Sequence, residues 1–151
     1  MSHRILVVDD HPLLRHGLKA LLGSHAEYQV IDEAVDGRDA VAKAIQLQPD
    51  LILMDLSLPG TSGIDCVAKA KPQKPAMQFL MSTVFENPAY IFQALCAGAT
   101  GYIVKSAPAK DLIAAVHDIH AGGSPMSPAI ARSVVASFQG ATSPRIQEEK
   151  L

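Results

Sequence analysis

Five side chains in this sequence combine into one kind of chemistry: Asp9, Asp10, Asp55, Thr83 and Lys105. Each stands at the end of an apolar run. Asp9 and Asp10 close Ile5-Leu6-Val7-Val8, and Asp55 closes Leu51-Ile52-Leu53-Met54. Thr83 follows Phe79-Leu80-Met81-Ser82, and Lys105 follows Tyr102-Ile103-Val104. As parallel strands of one sheet, these runs bring all five side chains to its carboxyl edge, where open α/β sheets bind ligands. Three carboxylates, a hydroxyl and an ammonium gathered there suit a divalent cation and a phosphoryl group. A carboxylate can attack phosphorus and form an acyl phosphate. Its own charge opposes attack on an anionic donor, which is why a hard metal ion is needed beside it.

The elements that must position these residues are legible from periodicity. Apolar runs alternate with amphipathic stretches, the pattern of βα units around a parallel sheet. Pro12 can open a first helix, with Leu14, Leu18, Leu21 and Leu22 on one face. Strand two is expected over Tyr28–Val35 and helix two over Gly37–Leu47. Pro59-Gly60 marks a turn, and a short third helix runs from about Ser62 to Lys71, cut by Pro72 and Pro75. Helix four carries Ile91, Phe92 and Leu95, and helix five follows Pro108 with Leu112, Ile113, Val116 and Ile119. A break at Gly122-Gly123-Ser124-Pro125 precedes a sixth helix expected from Pro128 to about Phe138. Gly140 to Leu151 is polar and has no core of its own.

The chain has 151 residues, enough for one domain and a tail. A net charge of -2 leaves no electrostatic footprint for nucleic acid. Cys66 and Cys96 fit neither a disulfide framework nor a zinc site and read as buried thiols in a reducing compartment. No apolar run reaches membrane-spanning length, so no membrane partner and a cytoplasmic location are expected.

The strings VVDDH (7–11), LILMDLSLPGTSG (51–63), MST (81–83) and GATGYIVK (98–105) together resemble the response-regulator receiver domain of two-component signalling. The likeness covers residues 4–120; Lys105-Ser106-Ala107 and the sixth helix look like the LuxR/NarL-type branch. The resemblance implies a flavodoxin-like (CheY-like) three-layer α/β sandwich whose five-stranded parallel sheet has the order 2-1-3-4-5. It implies a receiver over 1–121, and a linker, extra helix and start of an absent output domain over 122–151. Asp55 would be phosphorylated by a sensor histidine kinase. Asp9, Asp10, Asp55 and the carbonyl of Ser57 would hold Mg²⁺, with Mn²⁺ a substitute, and Lys105 would meet the phosphoryl oxygens. Thr83 would turn inward to bond them, and Tyr102 would follow from an outer to an inner position. Such a chain is a signalling switch and no enzyme beyond its own phosphorylation and dephosphorylation. Homodimers would form through helix 4–strand 5–helix 5 or helix 1–helix 5 surfaces. DNA would be reached only through the absent domain.

Other readings compete residue by residue. Asp9-Asp10 alone could cap the first helix, Thr83 simply suits a strand, and Tyr102 alone is ordinary core. His117 and His120, one turn apart near the end of helix five, read as a solvated face, with a metal pair the lesser alternative, and His11 as lining or exposed. Ser57 and Phe85 flank the phosphate site and could set the lifetime of an acyl phosphate. Ser106 stands where many receivers have proline, which leaves the Lys105-Ser106 peptide open. A stand-alone receiver acting through protein contacts is the rival function; Thr142-Ser143-Pro144-Arg145 instead resembles the beginning of a LuxR-type helix-turn-helix. Haloacid-dehalogenase-type phosphohydrolases place their nucleophile after the first strand in a DxD pattern, which this chain lacks. A flavodoxin would need small hydroxyl and glycine residues in the first loop.

Overall fold

A computed structural model describes residues 2–60, 62–84 and 87–149. Five strands, β1 (His3–Val8), β2 (Tyr28–Ala34), β3 (Leu51–Asp55), β4 (Gln78–Thr83) and β5 (Gly101–Val104), form one parallel sheet ordered β2-β1-β3-β4-β5. Between them lie α1 (Pro12–Gly23), α2 (Gly37–Leu47), α3 (Gly63–Ala70), α4 (Pro88–Ala97) and α5 (Ala109–His120). The expected fold class is thus the observed one. A 3₁₀ turn, Lys71–Gln73, prolongs the short α3 before Pro75.

The apolar runs are apolar because both faces of the sheet are covered. Alternate residues serve opposite faces. Leu6, Val8, Ile52, Met54, Phe79, Met81 and Tyr102 join a core under α2, α3 and α4. Ile5, Val7, Leu51, Leu53, Leu80 and Ile103 join a second core under α1 and α5. Cys66 lies buried in the first, but Cys96 is exposed, correcting the expectation of two buried thiols. On α4 it is Ile91 and Ala94 that are buried, and Cys96 falls on another side of the helix.

The chain beyond α5 is packed against the sheet. Tyr102 N–H donates to the Pro125 carbonyl at 3.0 Å, Met126 bridges Tyr102, and Ile130 is fully buried. From there α6 (Pro128–Glu149) runs against α4, with Phe92 and Phe138 in edge-to-face contact at 5.7 Å. This helix continues past Phe138, where the sequence pattern had placed its end; the region with no apolar pattern is helical all the same. Among the described residues no helix is long and apolar enough to cross a membrane, and every peptide bond is trans, Lys105-Ser106 included.

Gly63 opens α3 directly behind β3. A Cβ there would lie 2.6 Å from the Asp55 carbonyl oxygen and 3.0 Å from the Leu56 Cα, both backbone. Gly63→Ala is expected to destabilise by about 2 kcal/mol or more in urea unfolding. Gly17 lies in α1 with nothing within 4 Å of its Cβ position, so Gly17→Ala should stabilise by about 0.5–1 kcal/mol in the same assay.

Candidate functional site

The strand register builds the site. Val8 pairs with Met54 and Asp55 with Ser82, so Asp9, the residue that follows β1, comes to lie alongside Asp55. Asp9 N–H donates to the Ala34 carbonyl at 3.1 Å and Leu56 N–H to the Ser82 carbonyl at 3.1 Å. Lys105 N–H donates to the Thr83 carbonyl at 2.7 Å, fixing the residue that leaves β5. Asp55 and Thr83 are the last residues of their strands, while Asp9, Asp10 and Lys105 lie just beyond theirs.

Two buried carboxylates meet one ammonium. Asp9 is 2% and Asp55 5% exposed. Lys105 Nζ lies 2.8 Å from Asp55 Oδ2 and 3.0 Å from Asp9 Oδ2. The second Asp55 oxygen, Oδ1, accepts the Ser57 N–H at 3.1 Å. Burial pushes the Asp55 carboxyl above the usual range, against the Lys105 and Ser57 hydrogen bonds and together with repulsion from Asp9. Burial also works to lower the Lys105 ammonium, but the two carboxylates outweigh it and the net shift is upward.

Asp10 is less enclosed and turns to His11, whose Nδ1 lies 3.1 Å from Asp10 Oδ1. That hydrogen bond, more than any other influence, holds the Asp10 carboxyl below its usual range. His11 is exposed, as expected, yet ligand atoms of Asp9, Asp10 and His11 all lie within 4.8 Å of one another. The capping alternative for the acidic pair fails: the N-cap of α1 is His11, with no side-chain cap bond. Asp9 Oδ1 instead accepts the His11 N–H at 2.9 Å, which holds the loop around the carboxylate.

Thr83 and Tyr102 are both buried. The resemblance implies an outer and an inner place for Tyr102; the structure holds the inner one, fully buried beneath Met126 and α6. Burial pushes its phenol up to about 12, with the Thr83 side chain the opposing influence. Phe85 lies outside the described residues. Arg15 went unread in the sequence. It donates from Nη1 to the Asp9 carbonyl at 2.9 Å and from Nε to Glu33 at 2.6 Å, bracing the β1–α1 loop from below. No local pattern marks it, because its partners come from two other elements.

The donor set fits a hard divalent cation. Asp9 and Asp55 share one lysine and Asp10 lies beside Asp9, leaving an excess of negative charge at a partly open edge, and oxygen ligands are what Mg²⁺ takes. The residues of the sequence reading are therefore gathered at one edge, with Asp55, Asp9 and Lys105 in direct contact and Asp10, Ser57 and Thr83 around them.

Residues 5–117 match the response regulator receiver domain family. Oxygen regulatory protein NreC of Staphylococcus carnosus (strain TM300) is 37% identical over 136 residues, covering 89% of this chain and 63% of the relative. Response regulator protein VraR of Staphylococcus aureus is 36% identical over 130 residues, 86% of this chain and 62% of the relative. This chain therefore spans less than two thirds of the length of either. A crystal structure of a LuxR-family two-component response regulator from Aurantimonas sp. SI85-9A1 superposes with a TM-score of 0.85 at 35% identity, covering 91% of this chain and 98% of that one. Fold, motif order and these relatives agree: the chain belongs to the response regulator receiver domain family, the signalling module of two-component response regulators.

Proposed function

We propose that Asp55 accepts a phosphoryl group from a sensor histidine kinase and that this charge switches the surface controlling a DNA-binding output. One observation carries the reading. Asp55 is a buried carboxylate whose two oxygens are already held, one by Lys105 and one by the Ser57 N–H, at the edge a donor can reach. Its oxygen attacks phosphorus as the bond from phosphorus to the donor imidazole breaks; the imidazole keeps the electron pair and takes up a proton. Lys105 then has phosphoryl oxygens to pair with in place of the carboxylate oxygen they displace. Asp9, Asp10, Asp55 and the Ser57 carbonyl would hold Mg²⁺, which supplies neutralisation of the developing charge.

Phosphorylation adds about -1.5 to -2 charges at the site. Thr83, at the end of β4, is the hydroxyl best placed to meet them, and its strand pairs with β5 and therefore with Tyr102. Because Tyr102 is already inward, the event that phosphate biases would be the seating of residues 122–126 and α6 over that ring, as a shift between two pre-existing states. Residues 1–121 form the receiver in this reading, and 122–151 connect it to an output domain. The curated relatives, which extend well beyond the matched region, support such an output. For a homodimer, the α1–α5 surface is favoured over α4–β5–α5: α6 lies against α4, whereas Leu13 on α1 is 89% exposed beside a groove of about 350 Å³ between α1 and α5.

Intact mass after incubation with Mg²⁺ and a small phosphodonor should show one acid-labile phosphoryl group on the wild type and none on Asp55→Asn. A wild type that gains none refutes the reading. Mg²⁺ should raise the melting temperature of the wild type, since it binds the folded state and relieves carboxylate repulsion, and should do so much less in Asp9→Asn/Asp10→Asn. Lys105→Met leaves two buried carboxylates unpaired and should cost about 3–5 kcal/mol at pH 7 in urea unfolding. An acid whose folded pKa is raised binds more protons when folded, so that deficit should shrink as the pH falls from 7 to about 5.

A further inference from the structure

Four of the six histidines gather at the other end of the sheet, away from the carboxylates. His3 begins β1, His25 lies in the turn between α1 and β2, and His117 and His120 end α5. Their rings surround Tyr28, with centroids 5.3 to 6.4 Å from it. His117 and His120 are both exposed, as the solvated-face reading expected, and each also meets a partner on another element. His120 reaches His3 through their Nδ1 atoms, and His117 Nδ1 lies 2.5 Å from the Tyr28 hydroxyl.

Within this group three ligand atoms converge on one point. Glu27 Oε1 lies 3.5 Å from His25 Nδ1 and 3.8 Å from His117 Nε2. All three residues offer ligand atoms within 4.8 Å of one another. Ligands about 2.0–2.1 Å from a tetrahedral ion stand about 3.4 Å apart, so two edges of the tetrahedron are nearly present. The side chains are only partly buried and can close the third. Their backbone is held: Tyr28 N–H donates to the His25 carbonyl at 3.1 Å and His3 N–H to the Glu27 carbonyl at 2.8 Å. Ala121 N–H donates to the His117 carbonyl at 3.0 Å. Tyr28 completes the arrangement. With a proton on Nδ1 donated to the Tyr28 oxygen, His117 turns a bare Nε2 toward Glu27, as outer-shell partners do for metal-bound histidines.

We infer that His25, Glu27 and His117 form a binding site for a borderline divalent ion of the zinc type, with water in the fourth position. Two imidazoles and one carboxylate select such an ion over Mg²⁺, which takes oxygen. The two ends of the sheet would then hold different metals. Zinc bound here ties the α1–β2 turn to the last turn of α5.

The test is a Zn²⁺ titration of the whole chain in excess Mg²⁺, followed by calorimetry and by the histidine ring signals in NMR spectra. One zinc per chain should bind, and the His25 and His117 rings should shift before that of His11. His25→Ala should lose the step while melting like the wild type without zinc, His117→Ala should also lose it, and Tyr28→Phe should weaken binding by about 10–100-fold. Absence of the step in the wild type overturns the inference. So does a step that survives in both histidine variants, or ring shifts confined to His11.

Discussion

The lysine that spans two buried aspartates is the interaction on which this molecule is arranged. Nothing about Asp9 or Asp55 favours burial by itself, and an ionised carboxylate out of water is costly unless paired. Lys105 pairs both, from a strand on the far side of β4. The ammonium can be there only because β5 ends level with β4 and because the Lys105 amide is tied to the Thr83 carbonyl. A structure built to be most stable would do better with apolar groups in these places. Three charges retained at a sheet edge are consistent with the proposed role, in which an incoming anion would rearrange them.

In the proposed switch, the route to the surface would run through Tyr102 and the segment that covers it. Tyr102 sits inward with its amide bonded to Pro125, and the segment that covers it leads straight into α6. The aromatic ring is therefore part of the seal between the sheet and the C-terminal helix. Ile130 and the Phe92–Phe138 contact extend that seal along α4. Charge added at Asp55 would, in that proposed switch, reach α6 through this apolar layer.

Much of this was written locally. Apolar runs ending in Asp, Thr or Lys, helices opened by Pro12 and after Pro108, and the Pro59-Gly60 turn each report on a neighbourhood of a few residues. Their alternation is enough for a parallel sheet, and strand-end placement is enough to bring the five polar residues to one edge. The receiver family follows from the same strings in the same order.

The tertiary structure decided what depends on residues distant in sequence. Cys66 and Cys96 have similar neighbours along the chain, yet only one faces the core, because the side of a helix that is buried depends on what packs against it. Arg15 is an unremarkable helix residue until β2 brings Glu33 beside it. Tyr102 reads as core or as switch until the segment after α5 closes over it. The histidines near both ends of the chain share no motif; α5, β1 and the α1–β2 turn make them neighbours. Periodicity carries burial and chain direction, and so the sequence alone determined the fold and the carboxyl-edge site. It carries no long-range partners, and so the inward Tyr102, the α6 seal and the histidine cluster were decided by packing.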